Sequence, residues 1–273
     1  MIIKTLVENT AVSEDYKFEH GLSLYVETKN HKLLFDLGKS DAFLENAKKL
    51  NINISEIDTV IISHGHYDHG GGLGAFLKAN EKAKIYIQEK AFGKHYSLRS
   101  NGVTAYIGLD EELKANERII FLSDYLKIDD ELEMFSNVKG DELPSLSNKV
   151  LLMENGDEIV EDTFEHEQNL IITEENTVLI AGCAHKGIVN IVNHAMNLKE
   201  KTVDYVIGGF HLYNPHTKIS ESPALIEQIG KQLEKTKAKY FTCHCTGLES
   251  YSILKSIMSE NIQYLATGSV VNI

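Results

Sequence analysis

The stretch Val60-Ile61-Ile62-Ser63-His64-Gly65-His66-Tyr67-Asp68-His69-Gly70-Gly71-Gly72 decides how this chain reads. An apolar run of strand character delivers three imidazoles and a carboxylate within six positions. Imidazole and carboxylate are the usual ligands of a borderline cation such as Zn²⁺. Residues two apart at a strand end point the same way, so His64 and His66 are placed to grip one ion. Asp68 and His69 then face a second position. The glycines let the backbone turn sharply beside the ions before a helix begins near Leu73. The rival reading is a surface histidine cluster that holds nothing.

Upstream, Met1 to Glu8 has a strand pattern. Leu22 to Glu27 and Lys32 to Asp36 read as antiparallel strands joined by Thr28-Lys29-Asn30-His31. Ser40 is placed to cap a helix whose apolar residues Phe43, Leu44, Ala47 and Leu50 recur at helical spacing, and Ile57 to Ile62 is the strand that carries the histidines. Lys84 to Gln88 is the next strand. From 93 to about 165 the periodicity weakens, with one short helical pattern near Asp110 to Asn116. This reads as an insertion over the site, either a substrate lid or a variable surface excursion.

Downstream, strand and helix alternate: Thr177 to Ala181, Ile188 to Leu198, Val203 to Ile207, Ala224 to Leu233, Lys239 to Thr242, Leu248 to Met258 and Ile262 to Ala266. Strands dominate early and βα alternation follows. That predicts an α/β (α+β) domain over 1–273, two mixed sheets packed face to face with helices outside, whose strand ends meet at one common edge.

With 42% hydrophobic residues and no Pro-, Ser- or Gly-rich linker, the chain can bury one large core. A net charge of −13 disfavours a general nucleic-acid surface and leaves a small anionic or phosphorylated substrate open, since bound divalent ions would supply a local positive field. Three cysteines, with Cys243 and Cys245 too close on an extended segment to bridge, imply no disulfide framework. No export segment and no apolar run of roughly 20 residues is present, so the expectation is a soluble cytoplasmic protein with no membrane partner.

The His64, His66, Asp68, His69 pattern resembles the metallo-β-lactamase superfamily, whose defining strand ends in His-x-His-x-Asp-His. The resemblance implies a four-layered αββα fold with up to two metals at the sheet edge. Leu34-Phe35-Asp36-Leu37-Gly38 is similar to an upstream element whose Asp supports the histidine loop through hydrogen bonds instead of binding metal. Within the superfamily, Glu19-His20-Gly21-Leu22-Ser23, Phe164 to Leu170, Ala181-Gly182-Cys183-Ala184-His185-Lys186-Gly187, Gly208-Gly209-Phe210-His211-Leu212 and Cys243-His244-Cys245-Thr246-Gly247 resemble the dihydropterin synthase-like branch.

The resemblance implies further ligands in the second half. His166, ahead of Leu170-Ile171-Ile172, fits the third ligand of the first metal, with a packing histidine as the alternative. Where the superfamily carries a bridging Asp, this chain has Cys183, with His185 two residues on. Either side chain suits the bridging or terminal place, a thiolate would favour Zn²⁺ over Mg²⁺ or Mn²⁺, and a small buried apolar Cys183 is the alternative. His244 fits the last ligand by order and context, against a zinc knuckle made by Cys243 and Cys245. His211 ends an intermediate strand at the same edge and is assigned to substrate contact or proton transfer. His20, His31, His95, His194 and His216 are left over, with His194 read as packing or solvent-facing.

The implied activity is that of a metal-dependent hydrolase or transferase. One or two divalent ions, zinc with Mn²⁺, Mg²⁺ or Fe²⁺ as alternatives, activate a water against a phosphoester or similar small substrate, and Asp68 is both ligand and proton acceptor. The branch implies a pterin-related synthase. A tRNA-processing type of nuclease and a non-catalytic binding protein that lost its bridging carboxylate are the rival classes.

Overall fold

The computed structural model describes residues 1–273. Strand Thr59–Ile62 is buried along its whole length because it runs parallel between Lys32–Phe35 and Lys84–Gln88 and is covered on both faces. It sits inside a seven-stranded sheet ordered Val270–Asn272, Ile2–Val7, Ser23–Glu27, Lys32–Phe35, Thr59–Ile62, Lys84–Gln88 and Ile119–Leu122. A second seven-stranded sheet runs Ile262–Tyr264, Lys239–Thr242, Tyr205–Gly208, Thr177–Ile180, Gln168–Thr173, Leu132–Ser136 and Tyr125–Lys127.

Period-two alternation sorts the side chains into layers. Leu33, Phe35 and Ile61 of the first sheet meet Leu170, Ile172, Val178 and Ile180 of the second in a shared core. Their neighbours Leu34, Val60 and Ile62 point the other way, onto helices Ala42–Lys49 and Leu73–Ala79. On the second sheet Leu179, Val206 and Tyr240 face helices Ile188–Lys199, Pro223–Lys235 and Leu248–Met258. The result is the expected helix–sheet–sheet–helix sandwich. Phe35 is fully buried at its centre, so cutting it to Ala costs about 3–5 kcal/mol.

The expectation of one insertion over 93–165 needs correcting. Ile119–Leu122 closes one edge of the first sheet, parallel to Lys84–Gln88, and Tyr125–Lys127 with Leu132–Ser136 extends the second. Only the flanks leave the sandwich. His95–Leu98, Thr104–Tyr106, Leu151–Asn155 and Glu158–Glu161 form a separate four-stranded antiparallel sheet. These strands are three to five residues long and partly exposed, so they carry too little alternation to read from sequence. The helical pattern near Asp110 is a 3₁₀ turn, Glu111–Ala115, capped by the Asp110 side chain.

No helix is long and apolar enough to cross a membrane. Cys183, Cys243 and Cys245 are all free and buried.

Candidate metal centre

Strands of both sheets end at one edge, and four of these ends turn into loops that carry a histidine or cysteine. Thr59–Ile62 runs into Ser63 to His69, Thr177–Ile180 into Cys183 and His185, Tyr205–Gly208 into His211, and Lys239–Thr242 into His244. Several of these turns are sharp: Asp36, Ala184, His211 and His244 hold φ of 60°, 57°, 50° and 51°, a left-handed backbone that non-glycine residues adopt at a cost of order 1 kcal/mol each. Gly208 needs its lack of a side chain, because at φ +146° a Cβ there would lie 2.2 Å from the Ala181 carbonyl oxygen. Gly71 and Gly72 also serve close approach instead of a special φ, since a Cβ on either would stand 2.4 Å from a backbone oxygen.

Four side chains converge at one point. His69 Nε2 lies 3.1 Å from Cys183 Sγ and 3.2 Å from His244 Nε2, and Asp68 Oδ2 lies 3.4 Å from His244 Nε2 and 3.7 Å from His69 Nε2. Outer partners fix the tautomers. His69 Nδ1 donates to Asp36 Oδ2 at 2.6 Å, and His244 Nδ1 donates to Asn9 Oδ1 at 2.8 Å, so both Nε2 atoms present lone pairs inward. Burial pushes the Cys183 thiol well above its ordinary pKa, so without a metal its S–H faces the His69 lone pair, and a divalent cation is the group that would satisfy both lone pairs, the carboxylate and the sulfur together. Tetrahedral Zn²⁺ with nitrogen at 2.0–2.1 Å has nitrogen–nitrogen edges of about 3.3–3.4 Å, close to the 3.2 Å between the two Nε2 atoms. Without a metal a proton takes that place: burial opposes charge on His69, but Asp36 and Asp68 outweigh it and push its pKa up to about 9. Burial also works against the Asp68 charge, yet His69, His20 and His244 hold its carboxyl well below the usual range.

A second group lies beside the first. Ligand atoms of His64, Cys183 and His185 stand within 4.8 Å of one another, and the His66 ring is 4.6 Å from that of His64 and 5.0 Å from that of His185, centroid to centroid. Ser63 Oγ donates to Asp36 Oδ2 at 2.7 Å and therefore accepts from His64 Nδ1 at 2.8 Å. Asn148 donates to the His185 carbonyl and accepts from His185 Nδ1 at 3.0 Å. The Nε2 atoms of His64, His66 and His185 are buried with no partner. Burial, aided by neighbouring imidazoles, holds all three rings well below their ordinary pKa, so they stay neutral and their lone pairs stay available. Glu167 braces the loop by accepting from the His185 and Lys186 N–H groups at 2.6 and 3.0 Å.

His166 departs from its expected place. Its Nδ1 accepts from the Gly65 N–H at 2.9 Å and its Nε2 donates to Asp162 Oδ2 at 3.2 Å, so no lone pair is left for the ion. It pins the backbone between His64 and His66, and the buried Asp162, also bonded to His95, holds it in turn. The inward nitrogen on this side belongs to His185. His211 sits with both ring nitrogens buried and unpartnered, 4.2 Å from the His185 ring and beside Cys183 and Cys245. His194 stacks on Phe135, as a packing residue does.

Sequence reading left His20 unassigned, yet its Nε2 donates to Asp68 Oδ2 at 3.2 Å. It also missed Asn9 and Asn148, which set two of the tautomers. The Glu-His-Gly-Leu-Ser segment was the available signal for His20; an isolated Asn carries none.

Both groups open into a cleft of about 550 Å³, part of it open to solvent. Asp68, Cys183, His211 and His244 form its floor, and Tyr67, Ile107, Leu151 and Tyr213 are among its walls.

Comparison with known proteins agrees with this layout. Residues 16–231 match the family model described as the metallo-beta-lactamase superfamily. The chain is 29% identical to the 7,8-dihydropterin-6-methyl-4-(beta-D-ribofuranosyl)-aminobenzene-5'-phosphate synthase of Methanocaldococcus jannaschii, over 98% of this chain and 95% of that one. It is 32% identical to a metal-dependent hydrolase of the beta-lactamase superfamily of known crystal structure, which it matches at a TM-score of 0.83 over 100% and 99% of the two chains. The human short-form tRNase Z is similar in fold alone, at 13% identity and a TM-score of 0.55 over 100% of this chain and 99% of that one. The sandwich, the histidine loop at its edge and the span of these matches lead to one assignment: this chain belongs to the metallo-beta-lactamase superfamily.

Proposed function

We propose that the protein is a zinc-dependent hydrolase or transferase that holds two divalent ions and acts on a small phosphoester or similarly activated anionic substrate. His64, His66 and His185 would hold one ion, Asp68, His69 and His244 the other, with Cys183 between them in the place of a bridging carboxylate. The observation that carries this reading is the convergence of the His69 and His244 lone pairs with Asp68 Oδ2 and Cys183 Sγ at 3.1–3.7 Å. The sulfur in the set favours zinc over Mg²⁺ or Mn²⁺. Bound there, the ions would acidify water and neutralise charge on the substrate.

The chain's own groups handle the protons. Asp68, held in place by the hydrogen bond that His20 Nε2 donates to its Oδ2, accepts the proton of the attacking water at a carboxylate oxygen. His211, with two unengaged nitrogens over the cleft, gives a proton to the leaving oxygen. Three buried free thiols suit a reducing compartment, and a cytoplasmic setting follows from that. A pterin-related transfer reaction is supported by the near full-length likeness to the Methanocaldococcus jannaschii synthase. A nuclease is disfavoured by the net charge of −13.

Elemental analysis of purified protein tests the reading. Two zinc ions per chain, with phosphodiester cleavage lost on chelation and restored by zinc, is the expected result; a chain that retains no divalent ion at neutral pH overturns it.

A further inference from the structure

Of the three thiols, two line the cleft and one does not. Cys183 and Cys245 are among its lining residues, while Cys243 lies in the shared core between the sheets with Phe241 and Ile207. The Sγ atoms of Cys183 and Cys245 and a ring nitrogen of His211 all stand within 4.8 Å of one another, although 62 positions separate the two cysteines. The metal reading uses Cys183 and leaves Cys245 without a task.

The backbone holds this pair together. The Gly209 N–H donates to the Gly182 carbonyl at 2.8 Å, the Leu212 N–H to the Cys245 carbonyl at 2.9 Å and the Phe210 N–H to Thr246 Oγ1 at 2.9 Å. The three loops that carry Cys183, His211 and Cys245 are therefore tied to one another. Cys245 Sγ accepts from the His211 N–H at 3.2 Å and donates to the Cys183 carbonyl at 3.6 Å. Room for that sulfur exists because residue 209 is glycine, since a Cβ there would stand 2.4 Å from Cys245 Sγ. The result is a pair of thiols set side by side at the bottom of a cleft that opens to solvent.

We infer that Cys183 and Cys245 form a redox pair, which a peroxide entering the cleft converts to a disulfide that takes the thiolate away from the metal centre. The Cys245 sulfur attacks one peroxide oxygen; the O–O bond breaks, a sulfenic acid forms and the other oxygen leaves as water. The Cys183 sulfur then attacks the Cys245 sulfur, so that the S–S bond forms and the S–O bond breaks with loss of a second water. The two sulfurs lose two electrons, and the peroxide gains them. Where Cys183 starts as a zinc-bound thiolate, the proton it lacks comes from solvent. An S–S bond of about 2.05 Å draws Cys183 Sγ toward Cys245, and a sulfur so bonded carries no charge for an ion. Release of the ions rests on the proposed two-ion reading, in which Cys183 stands between them; formation of the disulfide rests on the sulfur pair alone.

The test treats zinc-loaded wild type with a small excess of hydrogen peroxide. A chromogenic chelator follows zinc release, and peptide mass spectrometry after acid quench and alkylation reads the thiols, with fragment spectra separating Cys243 from Cys245 on their shared tryptic peptide. The expected result is a linked Cys183–Cys245 peptide pair that accumulates in step with zinc release, both reversed by dithiothreitol and added zinc. Cys245→Ser, with Cys245→Ala as a second variant, is expected to keep its zinc through the same exposure, and Cys243→Ala to respond as wild type does. Zinc release as fast in both Cys245 variants as in wild type overturns the pair and leaves the two-ion reading standing. So does oxidation of wild-type Cys245 to a sulfinic or sulfonic acid with no linkage. A wild-type chain that holds no zinc yet forms the linkage overturns the two-ion reading and keeps the pair.

Discussion

The Nε2 atoms of His69 and His244 face each other across 3.2 Å, although the two residues lie 175 positions apart in the chain. Asp36 and Asn9 hold the ring protons on the outer nitrogens, so the short separation is between two acceptors and calls for a cation. His244→Ala removes one of the pair. The expected outcome is one zinc per chain in place of two, with hydrolytic turnover down by at least about 10²-fold. Unchanged metal content would dismiss His244 as a ligand.

Asp36 never reaches the ion position, yet it orients His69. Asp36→Asn suits the local φ of 60°, which Asn tolerates, so the backbone should survive. Its amide cannot accept from both Ser63 and His69 as the carboxylate does. Affinity for the second zinc should fall about 10–100-fold, measured by chelator competition.

Cys183 separates a thiolate ligand from a merely buried thiol. In cobalt-substituted protein a near-ultraviolet sulfur-to-cobalt charge-transfer band is expected, and Cys183→Ser should abolish it. A band that survives in the Ser variant would assign the sulfur elsewhere, with Cys245 next to be tested.

Gly182 lies against the histidine loop. A Cβ there would come within 2.1 Å of Ser63 Oγ and 3.2 Å of His64 Nδ1. Gly182→Ala should therefore displace Ser63, cost about 1–3 kcal/mol in urea unfolding and weaken the ion held by His64. Full zinc occupancy at wild-type affinity would show that the loop absorbs the methyl group.

Far from the cleft, His31 lies 2.9 Å from Asp58 and 2.7 Å from Asp129. Burial opposes its charge, but the two carboxylates outweigh it and raise its pKa above the ordinary 6.5. Stability from a raised histidine is fully present below the unfolded value and fades as pH climbs through the folded one. His31→Gln should be less stable than wild type at pH 6, and the gap should narrow towards pH 9. A gap independent of pH would mean that His31 contributes through packing.

Much of this was legible in the sequence because it is local. His64 to His69 sit on consecutive positions after a buried strand, so their convergence follows from strand geometry, and the later strands and helices carry clean periodicity. His166 and His185 could not be ranked that way. Both precede or follow strands of the second sheet, and what separates them is Gly65 and Asp162 occupying one ring while Asn148 leaves the other a free nitrogen. The Gly65–His166 and Asn148–His185 pairings join residues 101 and 37 positions apart, and no periodicity records them. The strands between 119 and 136 were hidden for a different reason: Ile119–Leu122 and Tyr125–Lys127 are short, partly exposed edge strands, and Leu132–Ser136, though buried throughout, is five residues long and carries Glu133 and Ser136 among its apolar residues.

A single carboxylate at the end of strand Lys32–Phe35 orients a nitrogen in each half of the centre, directly through His69 and by way of the Ser63 hydroxyl through His64. The two ion positions therefore share one hinge of charge. A change at Asp36 would therefore reach both candidate ion positions at once, through one buried side chain that touches neither.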